Sequence, residues 1–265
     1  MNDALYIAAT GMKTQTAQID TIANNVANAS TPGFKRSQLR FGDLMVAAPA
    51  GSGTGAAGAM QPALDGVLSM GTPAGVALAG EQRSFTAGEL RRVDDAMALA
   101  IQGEGFLELA LPDGSAAYTR GGHLELNAER LLSTAGGLAL KPRIHVPTDV
   151  HQVQIRADGE VLGFDEQGRS TPLGRLDLVN FSRPAGLSPM GDGLWRATQA
   201  SGDALSAPAG EAGLGRLQQG FQEASNVQLV EEMVQLMAAQ RAYEMNVKVI
   251  QAADEIAGIT NNLRK

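Results

Sequence analysis

The sequence contains no cysteine, which excludes a disulfide staple, a thiolate metal site and a thiol nucleophile. Only three histidines occur, His123, His145 and His151. His145 and His151 lie six residues apart with Pro147 between them, about 20 Å in an extended chain, so no metal site is expected from them. Aromatic residues make up 4% of the chain, too few to line a large aromatic pocket. No stretch approaches the roughly 18 apolar residues that a membrane helix requires. Positive charge is short as well: 21 Lys and Arg stand against 28 Asp and Glu, a formal net charge of −7. The basic residues are scattered, which excludes the clustered phosphate contacts of a nucleic-acid surface.

Catalytic constellations are missing too. Asp94-Asp95 and Asp165-Glu166 are adjacent in sequence, so in a strand their side chains point to opposite faces and cannot act as a paired acid and base. The QGEGF stretch from Gln102 lacks the helix and Lys-Ser/Thr that a phosphate loop needs. The expectation is a protein without catalytic, cofactor-binding or metal-binding residues. The start MNDALYIAATGMK has an early acid and no basic region before an apolar core, so no cleaved secretory signal is expected.

What is present is concentrated at the two ends. Leu5, Met12, Ile19 and Val26 recur every seven residues, with Ala8, Ala9, Gln15, Ile22 and Ala23 between them; this predicts a helix from about Asp3 to Asn28 with one narrow apolar stripe. Leu229, Leu236, Tyr243, Ile250 and Ala257 hold the same spacing, joined by Met233, Met237, Val247, Ile256, Ile259 and Leu263. They predict a second helix of some thirty-five residues. Two such seams, with no partner nearby in sequence, pack on each other or on copies of themselves. Glu231, Glu232, Arg241, Glu244 and Lys248 are expected on the solvated or intersubunit face.

Between the helices the pattern changes. Asn24, Asn25, Asn28, Ser30 and Thr31 followed by Pro32-Gly33 end the first helix sharply. Residues 40–76, with PAGSGTGAAGAM from Pro49, have the composition of a flexible linker or of an arm that orders against a neighbouring subunit. From Val76 to Thr198 short alternating stretches are separated by turn signals: Phe106-Leu107 before Pro112-Asp113-Gly114, Val153 and Ile155 before Asp158-Gly159, Val161 to Phe164 before Asp165 to Gly168. This predicts an antiparallel sandwich or barrel-like domain, its core closed by Trp195. Residues 201–220 are again rich in Gly, Ser and Ala. The expected fold class is therefore α+β: long N- and C-terminal helices packed as a coiled coil, with an inserted, mainly antiparallel β domain. The expected divisions are 1–36 plus 221–265 for the helices, 37–95 plus 201–220 for a Gly-rich connecting arm, and 96–200 for the β domain.

Some of these residues also carry a family resemblance. ANNVAN from Ala23 with TPGFKR from Thr31, and ASNVQLVEEMVQLMAAQRAYEMNVKVIQAADEI from Ala224, resemble the N- and C-terminal signatures of bacterial flagellar rod and hook proteins. Ser225, Asn226, Val227, Glu231, Gln240, Arg241, Ala242, Tyr243, Glu244 and Asp254 fall on the second pattern. IQGEGFLEL from Ile101, LPDGSAAYTRGG from Leu111, STAGGLAL from Ser133 and LGRLQQGFQEASNV from Leu214 resemble the distal-rod members most. Leu107 and Leu124 stand where that family usually has Phe, and Arg130 takes a usual turn Gly. A proximal-rod paralogue shares both end signatures and stays open at this point, as does a β binding module with dimerising helices.

The resemblance implies a structural subunit, exported by the flagellar type III apparatus, whose terminal helices line an axial tube with the β domain outside. Its implied neighbours are copies of itself, proximal rod and hook subunits, and the P-ring and L-ring proteins. Residues expected at subunit interfaces are Leu5, Met12, Ile19, Ile22, Asn24, Asn25, Val26, Asn28 and Phe34 at the N-terminal end. At the C-terminal end they are Asn226, Met233, Gln240, Arg241, Tyr243, Ile250 and Asp254.

Overall fold

The computed structural model describes residues 2–46 and 72–263. Among the described residues it is α+β, with one helix at each end, α1 (Asn2–Ala27) and α2 (Leu229–Leu263), and eighteen strands between them. The chain divides into two compact units, one of Met1–Asn24, Gln38–Glu81 and Val230–Lys265, the other of Asn25–Ser37 and Gln82–Leu229.

In the first unit, strands β1 (Ser37–Val46) and β2 (Thr72–Arg83) pair as a two-stranded sheet. The Gly-rich composition of residues 40–76 therefore conceals strand at both its ends; the linker expectation for residues 47–71 lies outside the described residues. On α1 the side chains of Ala8, Thr14 and Ile22 are buried. On α2 the buried positions are Glu232 and Ala239, seven residues apart. That spacing is helical, but it runs three residues out of phase with the Leu229, Leu236, Tyr243 seam. The helices approach where Gly11 faces Asn246: a Cβ on Gly11 would lie 3.1 Å from Asn246 Nδ2. Absence of a side chain is what permits this approach. Glu232, expected on the solvated or intersubunit face, is instead fully buried within this chain. It sits in the first turn of α2, where the positive end of the helix favours a carboxylate.

The second unit holds the β domain. Strands β4 (Ala98–Gln102), β5 (Phe106–Ala110), β6 (Ala116–Thr119), β7 (Gly121–Leu126), β8 (Leu132–Thr134) and β9 (Ala139–Lys141) form one antiparallel sheet with β13 (Asp177–Phe181) to β17. The β5–β6 hairpin turns at Pro112-Asp113-Gly114 as the sequence predicts, with Leu109 opposite Ala117. Asp113 Oδ1 accepts from the Ser115 amide and hydroxyl, an Asx turn. Strands β10 (Val150–Ile155), β11 (Glu160–Asp165) and β12 (Ser170–Arg175) make a separate three-stranded meander. The stretch 201–220, expected as part of a connecting arm, instead supplies β16 (Ala204–Pro208), paired with β13, and β17 (Arg216–Gln219), paired with β4. Its glycines are turn residues between short strands, and a composition rich in them looks like a linker although it is not one.

Successive residues of a strand point to opposite faces, and here each face has its own core. Leu107 and Leu109 of β5 and Leu178 of β13 join an aliphatic cluster with Leu99, Ile101, Leu124, Leu132, Leu140 and Leu176. Phe106, Val179 and Phe181, from the same strands, join Tyr118, Leu187 and Trp195 in an aromatic cluster against which Phe85 packs. The rings meet edge to face, Phe85 with Trp195 at 4.8 Å and Tyr118 with Phe181 at 4.8 Å between centroids, the arrangement their quadrupoles favour. Five aromatic side chains, Phe85, Phe106, Tyr118, Phe181 and Trp195, are thus gathered at one place.

Candidate functional site

The N-terminal signature segment begins where α1 ends. Asn25 Nδ2 donates to the Ser37 carbonyl at 2.9 Å, and the Ser37 amide donates to Asn25 Oδ1 at 2.9 Å. One side-chain amide thus satisfies both backbone groups of Ser37, as a neighbouring strand would. Asn28 Oδ1 accepts from the Thr31 hydroxyl at 3.2 Å. Gly33 then takes φ +68, a left-handed conformation that glycine adopts without penalty. Its amide donates 2.8 Å to the carbonyl of Glu223.

Next to that turn lies a buried ionic cluster. Lys35 is 0%, Glu223 4% and Arg120 5% exposed. Lys35 Nζ donates to Glu223 Oε1 at 2.8 Å and to the Thr86 carbonyl at 2.8 Å. Arg120 Nε donates to Glu223 Oε2 at 3.1 Å, while its Nη1 and Nη2 donate to the carbonyls of Gly105 and Gly103. The Gly88 amide adds a bond to Glu223 Oε1 at 2.9 Å. Burial drives the Lys35 ammonium below its ordinary pKa, against the opposing pull of Glu223. For Glu223 burial alone would raise the pKa, but the charges and hydrogen bonds of Arg120 and Lys35 outweigh it and hold the carboxyl below its usual value. A buried charge persists only when paired and hydrogen-bonded this completely.

Asn226 extends the junction. Its Oδ1 accepts from the Arg36 amide at 2.8 Å, and its Nδ2 donates to Ser84 O at 2.8 Å and Thr86 O at 3.2 Å. Strand β18 (Phe221–Glu223) pairs with β3 (Leu90–Arg92) alongside. Arg83 lies over the rings of Phe34 and Trp195, 5.9 and 5.4 Å from their centroids, a cation–π arrangement. The two end signatures are therefore brought together by polar contacts: Asn25, Phe34 and Asn226 belong to one junction within this chain.

The other expected interface residues are placed differently. Leu5, Met12, Ile19 and Val26 are half-buried, Ile22 is buried and Asn24 is exposed. On α2, Met233, Gln240, Arg241, Tyr243 and Asp254 are exposed and Ile250 is half-buried. Val230 is 77% and Met233 53% exposed, and Val234, Met237, Met245, Val249, Ile256 and Ile259 are also exposed. An apolar series of this size along one helix is more exposed apolar surface than scattered single residues present.

Lys35, Arg120 and Glu223 were not singled out from sequence. Each stands inside a stretch that carries the family resemblance, Lys35 in TPGFKR, Arg120 in LPDGSAAYTRGG and Glu223 in LGRLQQGFQEASNV, and that position was the available signal. His123 lies between two carboxylates, with Nδ1 against Asp95 and Nε2 3.3 Å from Glu125. Among the described residues no group of three or more His, Asp or Glu is arranged to hold a metal ion. The arrangement as a whole supplies buried polar closure and exposed apolar surface.

Comparison with known proteins follows the same map. Residues 5–35 match the family model described as flagella basal body rod protein, residues 100–163 that of the flagellar hook protein FlgE/F/G D1 domain, and residues 218–263 that of the flagellar basal body rod FlgEFG protein C-terminal region. The chain is 38% identical to the flagellar basal-body rod protein FlgG of Borreliella burgdorferi over 268 aligned residues, covering 100% of both. It is 39% identical to that of Caulobacter vibrioides, covering 98% of this chain and 99% of the relative. It is 42% identical to the flagellar hook protein FlgE of Salmonella typhimurium over 118 residues, which cover 44% of this chain and 29% of that protein.

Proposed function

The chain belongs to the flagellar basal-body rod protein family and is a structural subunit of that rod; we propose that it polymerises as the distal rod, a helical tube that carries torque to the hook. The carrying observation is the exposed apolar series on α2, Val230, Met233, Val234, Met237, Met245, Val249, Ile256 and Ile259. Side chains of this kind favour burial by roughly 25 cal/mol per Å², and within the chain they are left uncovered. In our reading the coiled-coil seam closes between copies: α1 and α2 of each subunit pack against those of its neighbours and line the axis. Met233, Tyr243 and Ile250 meet neighbours there, with Leu5, Met12, Ile19, Ile22 and Val26 from α1. Asn24, Asn28, Gln240, Arg241 and Asp254 supply polar contacts across the same interfaces, and Phe34, Asn25 and Asn226 hold the junction that orients them.

The role is mechanical, with no catalytic step. Its partners are further copies, proximal rod and hook subunits, and the P-ring and L-ring proteins around the rod, reached by export through the flagellar type III apparatus. Sedimentation velocity against concentration tests the assembly surface, comparing the wild-type chain with Met233→Asp. We expect concentration-dependent growth of the wild type and a monomer for the variant, with the β-domain circular dichroism of the two superimposable. Equal growth of both would remove α2 from the interface.

A further inference from the structure

We propose that Glu223, with its two buried cations Lys35 and Arg120, is a closing latch: residues 33–37 and 84–92 take their folded positions only once residues 221–226 are in place. The two segments touch each other, the Ser84 amide donating to the Arg36 carbonyl at 2.9 Å, and each is also tied to residues 221–226. Segment 33–37 is held by Glu223 through the Gly33 amide and Lys35, and by Asn226 through the Arg36 amide. Segment 84–92 is held by Glu223 through the Gly88 amide, by Asn226 through Ser84 and Thr86, by the Ala224 amide on the Glu89 carbonyl, and by the β3–β18 ladder. Strands β5, β6, β8 and β9 meanwhile pair among themselves between Phe106 and Lys141.

Charge makes the dependence strict. Without Glu223, Arg120 keeps the carbonyls of Gly103 and Gly105, but Lys35 keeps only that of Thr86, on a segment that Asn226 positions. An ammonium fully removed from water with one neutral acceptor is unstable, so Lys35 leaves and residues 33–37 leave with it. Lys35 and Glu223 are separated by 188 positions, so the N-terminal signature reports that the chain has folded almost to its C-terminal helix. The latch concerns the folding of one chain and stands apart from polymerisation.

Hydrogen–deuterium exchange on the full-length chain tests it, in Glu223→Gln and in the milder Asn226→Ala, which keeps all three charges. The expected result is exchange at least tenfold faster at the amides of Gly33, Arg36, Gly88 and Ala224, while those of Leu132 and Val146 in the aliphatic core stay within twofold of wild type. Local acceleration in Asn226→Ala supports the latch even where Glu223→Gln is poorly folded. Uniform acceleration across both sets, unchanged exchange in both variants, or failure of both variants to fold would overturn it.

Discussion

The Asn25 side-chain amide and the Ser37 backbone exchange two hydrogen bonds of 2.9 Å, so an asparagine at the end of α1 serves as the first partner of the strand that follows. Asn25 is 1% exposed, and no water replaces a lost donor. Asn25→Asp sets a carboxylate oxygen against the Ser37 carbonyl in place of the donating nitrogen. The expected cost is about 1–3 kcal/mol, that of a buried unsatisfied group, read as a lower urea midpoint with an unchanged slope. A loss under about 0.5 kcal/mol would mean that the pair contributes no more than an ordinary net hydrogen bond at the weak end.

The Glu223 carboxyl is held below its ordinary value by Arg120 and Lys35, which outweigh the opposing effect of burial. A group whose folded pKa is depressed contributes stability that is complete above the unfolded carboxylate range, near about 4.3, and is lost as pH falls through the folded value. At pH 7 Glu223→Ala should cost about 3–5 kcal/mol, because two buried cations lose their counter-charge. The stability gap between wild type and Glu223→Gln should then narrow steadily as pH is lowered below about 4. A gap constant from pH 7 to pH 3, followed by urea titration, would show that the charge of Glu223 is not what stabilises the junction.

Arg130 holds φ +55 in the turn before β8. A non-glycine residue there costs about 1 kcal/mol. Its guanidinium offsets that strain by donating to the carbonyls of Val146 at 2.8 Å and Pro147 at 2.7 Å. Arg130→Ala loses both bonds and keeps the strain, whereas Arg130→Gly loses the bonds and sheds it. The expected order in thermal unfolding is wild type, then Gly, then Ala, with Gly above Ala by about 1 kcal/mol. Equal stability of Gly and Ala would remove backbone strain from the account.

Gly88 lies where β3 and β18 close. A Cβ there would stand 2.0 Å from the Ala224 carbonyl oxygen, and a backbone atom cannot rotate aside as a side chain can. Gly88→Ala should therefore destabilise by about 1–3 kcal/mol or more, and the amide bond to Glu223 should weaken with it. Gly114→Ala is the control, since nothing lies within 4 Å of its Cβ position and only its φ of +82 is penalised. A loss at Gly88 no larger than that at Gly114 would mean that the Ala224 contact is relieved by a small backbone shift.

Much of this protein is determined locally and can be read from sequence alone. The seven-residue spacing from Leu5 and from Leu229 yields the two helices, Pro32-Gly33 ends the first, and the Pro112-Asp113-Gly114 and Asp158-Gly159 turns sit where the hairpins reverse. Each of these follows from backbone preference and side-chain period within a few residues. The tertiary structure decided the rest. The side of α2 that is buried, Glu232 and Ala239 instead of Leu229 and Tyr243, depends on which neighbours meet it, and periodicity alone carries no such information. The inclusion of 201–220 in the sheet rests on β13 and β4, distant partners that composition does not register. Above all, Lys35 and Glu223 look like ordinary surface charges in a linear reading. Only a fold that brings Lys35 and Arg120 within 3.1 Å of the Glu223 carboxylate and buries all three makes them one group.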